Sequence, residues 1–153
     1  MADIVTKDVR SRMMSGIRGK DTKPEVQVRR YLHSRGFRYS LHRKNLPGKP
    51  DLVLSRYRAV VLVHGCFWHG HDGCRYAKVP LNRRDFWEDK IRKTKERDAA
   101  TVRRLSGLGW RVGIIWECAL KNNAESSLAA LELFLKSGQP GVEIADHQNL
   151  SAE

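Results

Sequence analysis

Hydrophobic and polar positions in the first half of the chain predict one helix followed by short strands. Val28 and Leu32 lie four residues apart and follow the segment Thr-Lys-Pro-Glu (22–25), in which threonine and glutamate form a capping box and proline occupies the first turn. We expect this helix to end at Gly36. Three short runs typical of strands follow, 37–41, 52–54 and 59–63, with a Pro47-Gly48 turn before the second.

The second half predicts a long helix, a buried strand and a final helix. We expect the long helix over 83–107, with Asn82 as its cap and glycines at its end. One face of it carries side chains at steps of three and four: Trp87, Ile91, Thr94, Asp98, Val102 and Leu105. The apolar run 111–116 predicts a strand, and Asn123 is expected to cap a helix with a leucine face. The tail, 138–153, shows little periodicity.

This order of elements predicts a single α/β domain over 1–153, with a mixed sheet flanked by helices. A chain of 153 residues is long enough for one real hydrophobic core. No apolar run approaches the ~20 residues that a membrane helix needs. The N-terminus has no apolar signal segment, so the sequence predicts a cytoplasmic protein.

The charge balance indicates a polyanionic partner. Lysine and arginine number 29 against 17 acidic residues, which gives a net charge of +12. A compact basic domain of this kind favours nucleic acid, with an anionic membrane surface as the weaker candidate. The basic residues are spread along the chain and form no amphipathic membrane-lying segment, so we expect a nucleic-acid partner and no membrane.

The segment HGCFWHGHDGC (64–74) concentrates metal-ligand chemistry. Cys66, His71 and Cys74 are separated by four and then two residues, and Cys118 follows the predicted strand 111–116. A structural zinc takes four nitrogen and sulfur ligands, which this Cys₃His set supplies. An odd number of cysteines also disfavours a disulfide framework. The alternative is three buried cysteines without metal, beside surface histidines.

Two further features leave alternatives open. Asp51 follows a proline at the start of a predicted strand, where a carboxylate can bind magnesium or simply cap a turn. Phe67 and Trp68 lie inside the proposed metal loop. They can pack in the core, or project outward to stack on bases or wedge between them.

Six segments spread over about residues 10–135 carry a resemblance to a known family. They are RSRMMSGIRGKDTKPE (10–25), LPGKPDLV (46–53), VHGCFWHGH (63–71), FWEDKI (86–91), ERD (96–98) and GWRVGIIWECAL (109–120). In content, order and spacing they resemble the very-short-patch repair (Vsr) endonucleases, and the HGCFWHGH block is the most specific of them.

The resemblance implies a restriction-endonuclease-like core that depends on Mg²⁺. It also implies nicking of one DNA strand beside a thymine mispaired with guanine, a lesion left by deamination of 5-methylcytosine. Asp51 resembles the magnesium-binding carboxylate, and Val63 stands where a backbone carbonyl is a further ligand. His69 resembles the residue that activates the attacking water, with Asp98 as its orienting partner.

The resemblance also assigns residues around this centre. His64 is similar to a second catalytic histidine near the scissile phosphate, and Glu25 to an acidic residue of the metal–water network. The remaining assignments are Cys66, His71, Cys74 and Cys118 to structural Zn²⁺, Phe67, Trp68 and Trp87 to an aromatic wedge that opens DNA, and Met14 and Lys90 to DNA contacts. The segment 1–20 is expected to contact DNA as well.

Some positions depart from related patterns. Val63 and His64 stand where ordinary restriction-type nucleases place an acidic residue and a lysine, so general-base work falls on histidine. His71 and Cys74 are one residue further apart than in a known family member, and Thr94 stands where asparagine is common. His69 as a competing zinc ligand, and Asp98 as a surface ion pair, remain alternatives.

Two other functions stay open from the sequence. One is a zinc-stabilised DNA-binding module without catalysis, in which Asp51 and His69 are idle. The other is a restriction-type endonuclease that cuts both strands, usually as a dimer. No dimer surface is evident and a single wedge favours action on one strand. We therefore expect a monomer, associated with the nucleoid, acting on double-stranded DNA that contains a T:G mismatch.

Overall fold

Five strands form one mixed sheet in the computed structural model, which describes residues 21–146. The order in the sheet follows the chain: β1 (Ser40–Leu41), β2 (Leu52–Leu54), β3 (Ala59–His64), β4 (Arg111–Trp116) and β5 (Gly141–Ile144). Strands β1 to β3 are antiparallel neighbours, whereas β3, β4 and β5 run parallel. The predicted α/β class with a mixed sheet is confirmed.

Helices cover both faces of this sheet. They are α1 (Lys23–Ser34), α2 (Arg84–Gly107), α3 (Glu117–Asn122) and α4 (Ala124–Lys136), with short 3₁₀ turns at Ser55–Tyr57 and Arg75–Ala77. No helix within residues 21–146 is long and apolar enough to cross a bilayer. The alternation of side chains along β2 and β3 explains the two layers, because successive residues of a strand point to opposite faces.

The larger hydrophobic cluster joins the sheet to α1 and α4. Val28 and Leu32 of α1 and Leu131 of α4 pack there against Leu52 and Val61 of the sheet. A second cluster, on the opposite face, joins Val53, Val60, Leu62 and Val112 to Leu105 of α2. The predicted leucine face of α4 and the predicted inner face of α2 are therefore both confirmed by burial.

The parallel pair β3–β4 places the ends of two strands side by side. Helix α2 makes the crossover between them, and the register pairs His64 with Trp116. The chain segments that follow the two strands therefore start from one edge of the sheet. One begins with Gly65 and Cys66, and the other is α3, which carries Cys118.

Two helix caps differ from the prediction. Helix α2 begins at Arg84, and its N-cap is Arg83 in a left-handed conformation (φ 58°), with no side-chain capping bond. The Asn82 cap was therefore wrong. Asn123 does occupy the N-cap position of α4, but its side-chain amide donates to Asp146 instead of accepting from the helix. The tie between Asn123 and Asp146 takes the place of the predicted cap.

Two elements escaped the sequence pattern. Helix α3 is only six residues long, too short for a helical period to be recognised. Strand β5 lies within the segment predicted as a tail and pairs in parallel with β4, burying Ile144. Its four residues acquire their strand conformation from the ladder with β4. The tail prediction was therefore wrong for residues 141–144.

Candidate functional site

A cleft of about 1030 Å³ opens where α1, α2 and the ends of β2 and β3 meet. The predicted catalytic residues line it together: Glu25, Asp51, His64, His69 and Asp98, with Lys90 of α2 on its wall. These residues come from four separate parts of the sequence. The fold thus brings together the acidic and imidazole groups that the resemblance assigned to one centre.

Asp51 lies directly before β2 and is only partly exposed, at 26% of its side-chain surface. The backbone N–H of Val63 donates to its carboxylate at 2.7 Å. Burial raises the pKa of Asp51 to about 6, and the Val63 N–H offsets part of that rise. A carboxylate that is poorly solvated and close to other acids has a strong tendency to bind a cation.

Glu25 approaches Asp51 from the first turn of α1. Its side chain is 2% exposed, and its carboxylate accepts from the Asp21 backbone N–H at 3.2 Å and from Arg29 at 3.0 Å. The Thr22 hydroxyl accepts from the Glu25 N–H at 3.4 Å, so the predicted threonine cap is present. Glu25 completes the cap through Asp21, one residue before the expected position.

His42 joins the two carboxylates and was missed by sequence reasoning. Its Nε2 lies 2.6 Å from Glu25 Oε2 and 3.9 Å from Asp51 Oδ1. The histidine follows β1, and the antiparallel register Leu41 to Leu52 places it across from Asp51. Only that register links the two positions, and a two-residue strand offers no pattern from which to infer it.

His69 and Asp98 form a close pair at the wall of the cleft. Nδ1 of His69 lies 2.6 Å from Asp98 Oδ2, which assigns the Nδ1 proton to this contact and leaves Nε2 as the acceptor. Asp98 occupies the middle of the inner face of α2. The pair has the geometry of a carboxylate that orients an imidazole, and Asp98 does not form the alternative pair with Lys95 or Arg97 among the contacts of the described residues.

His64 stacks on His69 with ring centroids 3.9 Å apart and planes 2° from parallel. It is buried, and Nδ1 has no hydrogen-bond partner within the described part of the chain. Burial, with a smaller effect from His69, lowers the pKa of His64 to about 3. His64 is therefore a neutral imidazole at any pH at which a cellular enzyme works.

The Cys₃His cluster lies next to this pair, behind β3. The candidate ligand atoms of Cys66, His71, Cys74 and Cys118 all lie within 4.8 Å of one another. Ligands at the ~2.3 Å Zn–S distance of a tetrahedral site stand about 3.8 Å apart, so the cluster matches a closed site of that size. His69 groups with His64 and Asp98 instead, which separates it from this set.

Backbone contacts and packing hold the Cys₃His cluster together. The Cys118 N–H donates to Cys66 Sγ at 3.3 Å, and the Asp146 N–H donates to Cys118 Sγ at 3.5 Å. His71 stacks on Trp116 with centroids 4.0 Å apart, and its Nδ1 is 3.6 Å from Cys118 Sγ. Burial raises the pKa of the Cys66 and Cys118 thiols. Buried thiols within reach of an imidazole suit a soft metal ion that replaces their protons.

The aromatic residues form a cluster at the mouth of the cleft. Phe67, Trp68 and Trp87 pack edge to face, with centroids 5.2 to 5.7 Å apart. Each is only partly buried, and none belongs to the hydrophobic core clusters. Phe86 extends the cluster at 5.1 Å from Trp87 and is 44% exposed. The rings therefore do not have the core position that was the alternative for Phe67 and Trp68.

Several residues that the sequence did not indicate also line the cleft. Met14 lies outside the described residues. Lys49, Tyr76, Glu117 and Lys121 also line the cleft, and the two lysines add positive charge. Sequence reasoning missed these four, because single lysines, tyrosines and glutamates in loops or short helices give no local signal. Their basic members fit the predicted polyanionic partner.

Comparison with known proteins agrees with this chemistry. A family model described as DNA mismatch endonuclease Vsr matches residues 2–75. The type II nicking enzyme V.XorIIP of Xanthomonas oryzae pv. oryzae is 45% identical over 137 residues, covering 90% of this chain and 96% of the relative. The DNA mismatch endonuclease Vsr of Escherichia coli is 44% identical over 131 residues, covering 86% of this chain and 83% of the relative. The type II nicking enzyme V.NmeAIP of Neisseria meningitidis is 48% identical over 124 residues, covering 81% and 88%.

Proposed function

The chain belongs to the Vsr family of DNA mismatch endonucleases, and we propose that it nicks one strand of duplex DNA beside a thymine mispaired with guanine. It is a DNA endonuclease of the mismatch-nicking type, as the names of its relatives indicate. In this proposal the mismatch arises by deamination of 5-methylcytosine. One observation carries the proposal: Asp51, His69 and Asp98, which are far apart in sequence, line a single cleft.

We propose that Asp51 and the backbone carbonyl of Val63 hold magnesium, with Glu25 nearby. The donor chemistry fits, because magnesium prefers carboxylate and carbonyl oxygens and the Asp51 carboxylate is poorly solvated. The chemistry that the ion supplies when bound is neutralisation of charge on the scissile phosphate. The Val63 N–H bond to Asp51 and the burial of Glu25 support the proposal, since both fix an oxygen ligand in place.

We propose that His69 accepts a proton from the attacking water through Nε2. The contact with Asp98 supports this role, since a carboxylate on Nδ1 fixes the tautomer in which Nε2 is the acceptor. His64, neutral and stacked on His69, keeps a second imidazole near the reacting phosphate without adding positive charge. General-base catalysis of this kind contributes about 10²–10⁴-fold in rate.

The Cys₃His cluster is proposed to hold a structural zinc. A closed set of four nitrogen and sulfur ligands leaves no position for substrate, which is typical of structural sites. The aromatic cluster of Phe67, Trp68 and Trp87 is proposed as the wedge that opens the mismatched step, with Met14 and Lys90 as further DNA contacts. Its partial exposure supports this role. We propose that the enzyme acts as a monomer in the cytoplasm, at the nucleoid.

The test measures nicking, in magnesium, of two duplexes that have the same sequence except for a T:G or a T:A pair at one position. The two strands are labelled separately. Asp51→Asn and His69→Ala should bind DNA as the parent does and lose nicking, and His69→Ala should lose about 10²–10⁴-fold in rate. His33→Ala is the matched control, because His33 is an exposed histidine outside the cleft. A parent protein that binds the duplexes without cutting supports the binding-module alternative, and one that cuts both strands supports the restriction-type alternative.

A further inference from the structure

His42 lies between two carboxylates, in close N···O contact with Glu25 but outside hydrogen-bond geometry. Its side chain is 18% exposed, and Nε2 is 2.6 Å from Glu25 Oε2 and 3.9 Å from Asp51 Oδ1. Its backbone N–H donates to the Asp51 carbonyl at 3.3 Å, continuing the β1–β2 ladder by one residue. The main chain thus ties His42 to Asp51, while the ring reaches Glu25 on a different element.

The backbone of His42 is in a left-handed conformation, which is uncommon for non-glycine residues although histidine adopts it more readily than most. Its φ is +47°, in the left-handed region. A non-glycine residue in this region costs about 1–3 kcal/mol and persists where surrounding structure enforces it, often at functional sites. Glycine would fit this turn without strain. Glycine would relieve this strain but would remove the ring that contacts Glu25.

Glu25 is contacted from two sides, and Arg29 and His42 reach the same carboxylate oxygen, Oε2. Arg29 and the Asp21 N–H hold it from the side of α1, and Arg29 also pairs with Asp21. Within residues 21–146, His42 is the side chain that contacts both Glu25 and Asp51. Without His42, Glu25 would keep only its contacts from the side of α1, and no group would lie between the Glu25 and Asp51 carboxylates to offset their repulsion.

We propose that His42 is a positioning residue whose imidazole holds the Glu25 carboxylate beside Asp51, so that both acidic groups serve one divalent cation. This inference rests on the proposed function, since it assigns both carboxylates to the same metal centre. His42 itself touches neither the water nor the phosphate in this scheme. It acts through Glu25, as outer groups that orient metal ligands do.

The test compares His42→Leu, which fills similar space without a polar atom, with His42→Gln, whose amide N–H can still reach Glu25. Binding of Mn²⁺ is measured from the EPR signal of the free ion, with the protein bound to a T:G duplex made uncleavable at the scissile phosphate. His42→Leu should weaken Mn²⁺ binding about 10–100-fold, and should raise the magnesium concentration for half-maximal nicking by the same factor. DNA affinity and zinc content should stay unchanged.

The conservative variant and a double variant make the test specific. His42→Gln should stay close to the parent, whereas a merely space-filling role would favour His42→Leu. Adding His42→Leu to Glu25→Gln should weaken Mn²⁺ binding no further than Glu25→Gln alone, because His42 acts through Glu25. If His42→Leu does not fold, His42→Asn replaces it, since asparagine tolerates the left-handed conformation but is too short to reach Glu25. His33→Leu controls for loss of an exposed histidine.

The inference is overturned if His42→Leu, or His42→Asn in its place, binds Mn²⁺ with the affinity of the parent. It is equally overturned if His42→Gln binds Mn²⁺ as weakly as those variants. It is also overturned if the variant that carries both Glu25→Gln and His42→Leu binds Mn²⁺ more weakly than Glu25→Gln alone. Failure of the proposed function gives a different result, in which the parent itself does not nick a T:G duplex in magnesium. A parent that nicks, an inactive Asp51→Asn and an unaffected His42→Leu would contradict the role of His42 alone.

Discussion

Replacing Asp51 by asparagine should stabilise the protein at neutral pH while it abolishes nicking. Burial raises the pKa of Asp51 from 3.8 to about 6, so the folded state holds the carboxylate in a position where its charge is disfavoured. Asparagine removes that charge and keeps an oxygen that can accept the Val63 N–H. An active site that is less stable than its neutral counterpart is a common consequence of selection for function.

The size of the stabilisation by Asp51→Asn and its pH dependence follow from the shift of the Asp51 pKa. A rise of about two pKa units corresponds to at most about 3 kcal/mol, and partial exposure of the side chain reduces the expected gain to about 1–3 kcal/mol. Below pH 3.8 the carboxyl group is protonated in both states and the parent and variant differ little. Between pH 3.8 and about 6 the unfolded state loses its proton first, so the parent loses stability, and above about 6 the difference is constant.

The assay is urea unfolding of the parent and Asp51→Asn at several values between pH 4 and 8, without a chelator that could also remove zinc. Asp89→Asn is the matched control, because Asp89 is exposed, pairs with Arg92 and Lys93, and has a lowered pKa. That variant should lose a little stability at neutral pH. Adding magnesium should stabilise the parent and leave Asp51→Asn unaffected. A variant less stable than the parent at pH 7.5, or a difference that does not change with pH, would refute the reasoning.

Three further changes test other parts of the structure. Cys118→Ala should lose zinc and unfold, since a structural zinc contributes about 10–16 kcal/mol of apparent binding energy and a whole domain has about 5–15; a zinc-free variant that unfolds cooperatively, measured by metal analysis and circular dichroism, would contradict it. Trp68→Ala should reduce the ratio of nicking rates on T:G and T:A duplexes, whereas an unchanged ratio would remove the ring from mismatch selection. Gly70→Ala should destabilise by about 1–3 kcal/mol in thermal unfolding, because its φ is +60° and a Cβ would overlap Ile91; unaltered stability would show that the loop can shift.

Elements with a sustained hydrophobic period could be predicted from the sequence. The inner face of α2 was predicted over five turns, and it brings Asp98 to the cleft and Trp87 to the aromatic cluster beside it. The Cys₃His cluster was also predictable, because three of its ligands lie in one short loop and the fourth follows a strand with a clear apolar run. In these cases the sequence pattern lies within one or two short segments, so it could be recognised without knowledge of contacts between distant segments.

The parts that could not be predicted depend on contacts between distant segments. His42 lies beside Glu25 because β1 and β2 pair in one register, and two residues of strand do not specify a register. Strand β5 exists because β4 offers it a ladder. The cap of α2 differs because Arg83 adopts a left-handed conformation, which Asn82 gives no reason to expect. The metal ions and the roles of the catalytic residues stay predictions for the experiments above.

The position of Cys66 and Cys118 has a consequence for how the chain folds. The two cysteines are 52 residues apart, and the segment between them includes the whole α2 crossover. Parallel pairing of β3 with β4 therefore requires closure of a long loop, and the entropy of closure is lost before the strand contacts form. Folding of such topologies is slow for this reason. A zinc ion bound to both thiols would act as a cross-link whose loop closure is worth about 4 kcal/mol of unfolded-state entropy, by the same relation that describes disulfides. Refolding of the metal-free chain should then require added zinc, and zinc supply during synthesis would limit the yield of active enzyme.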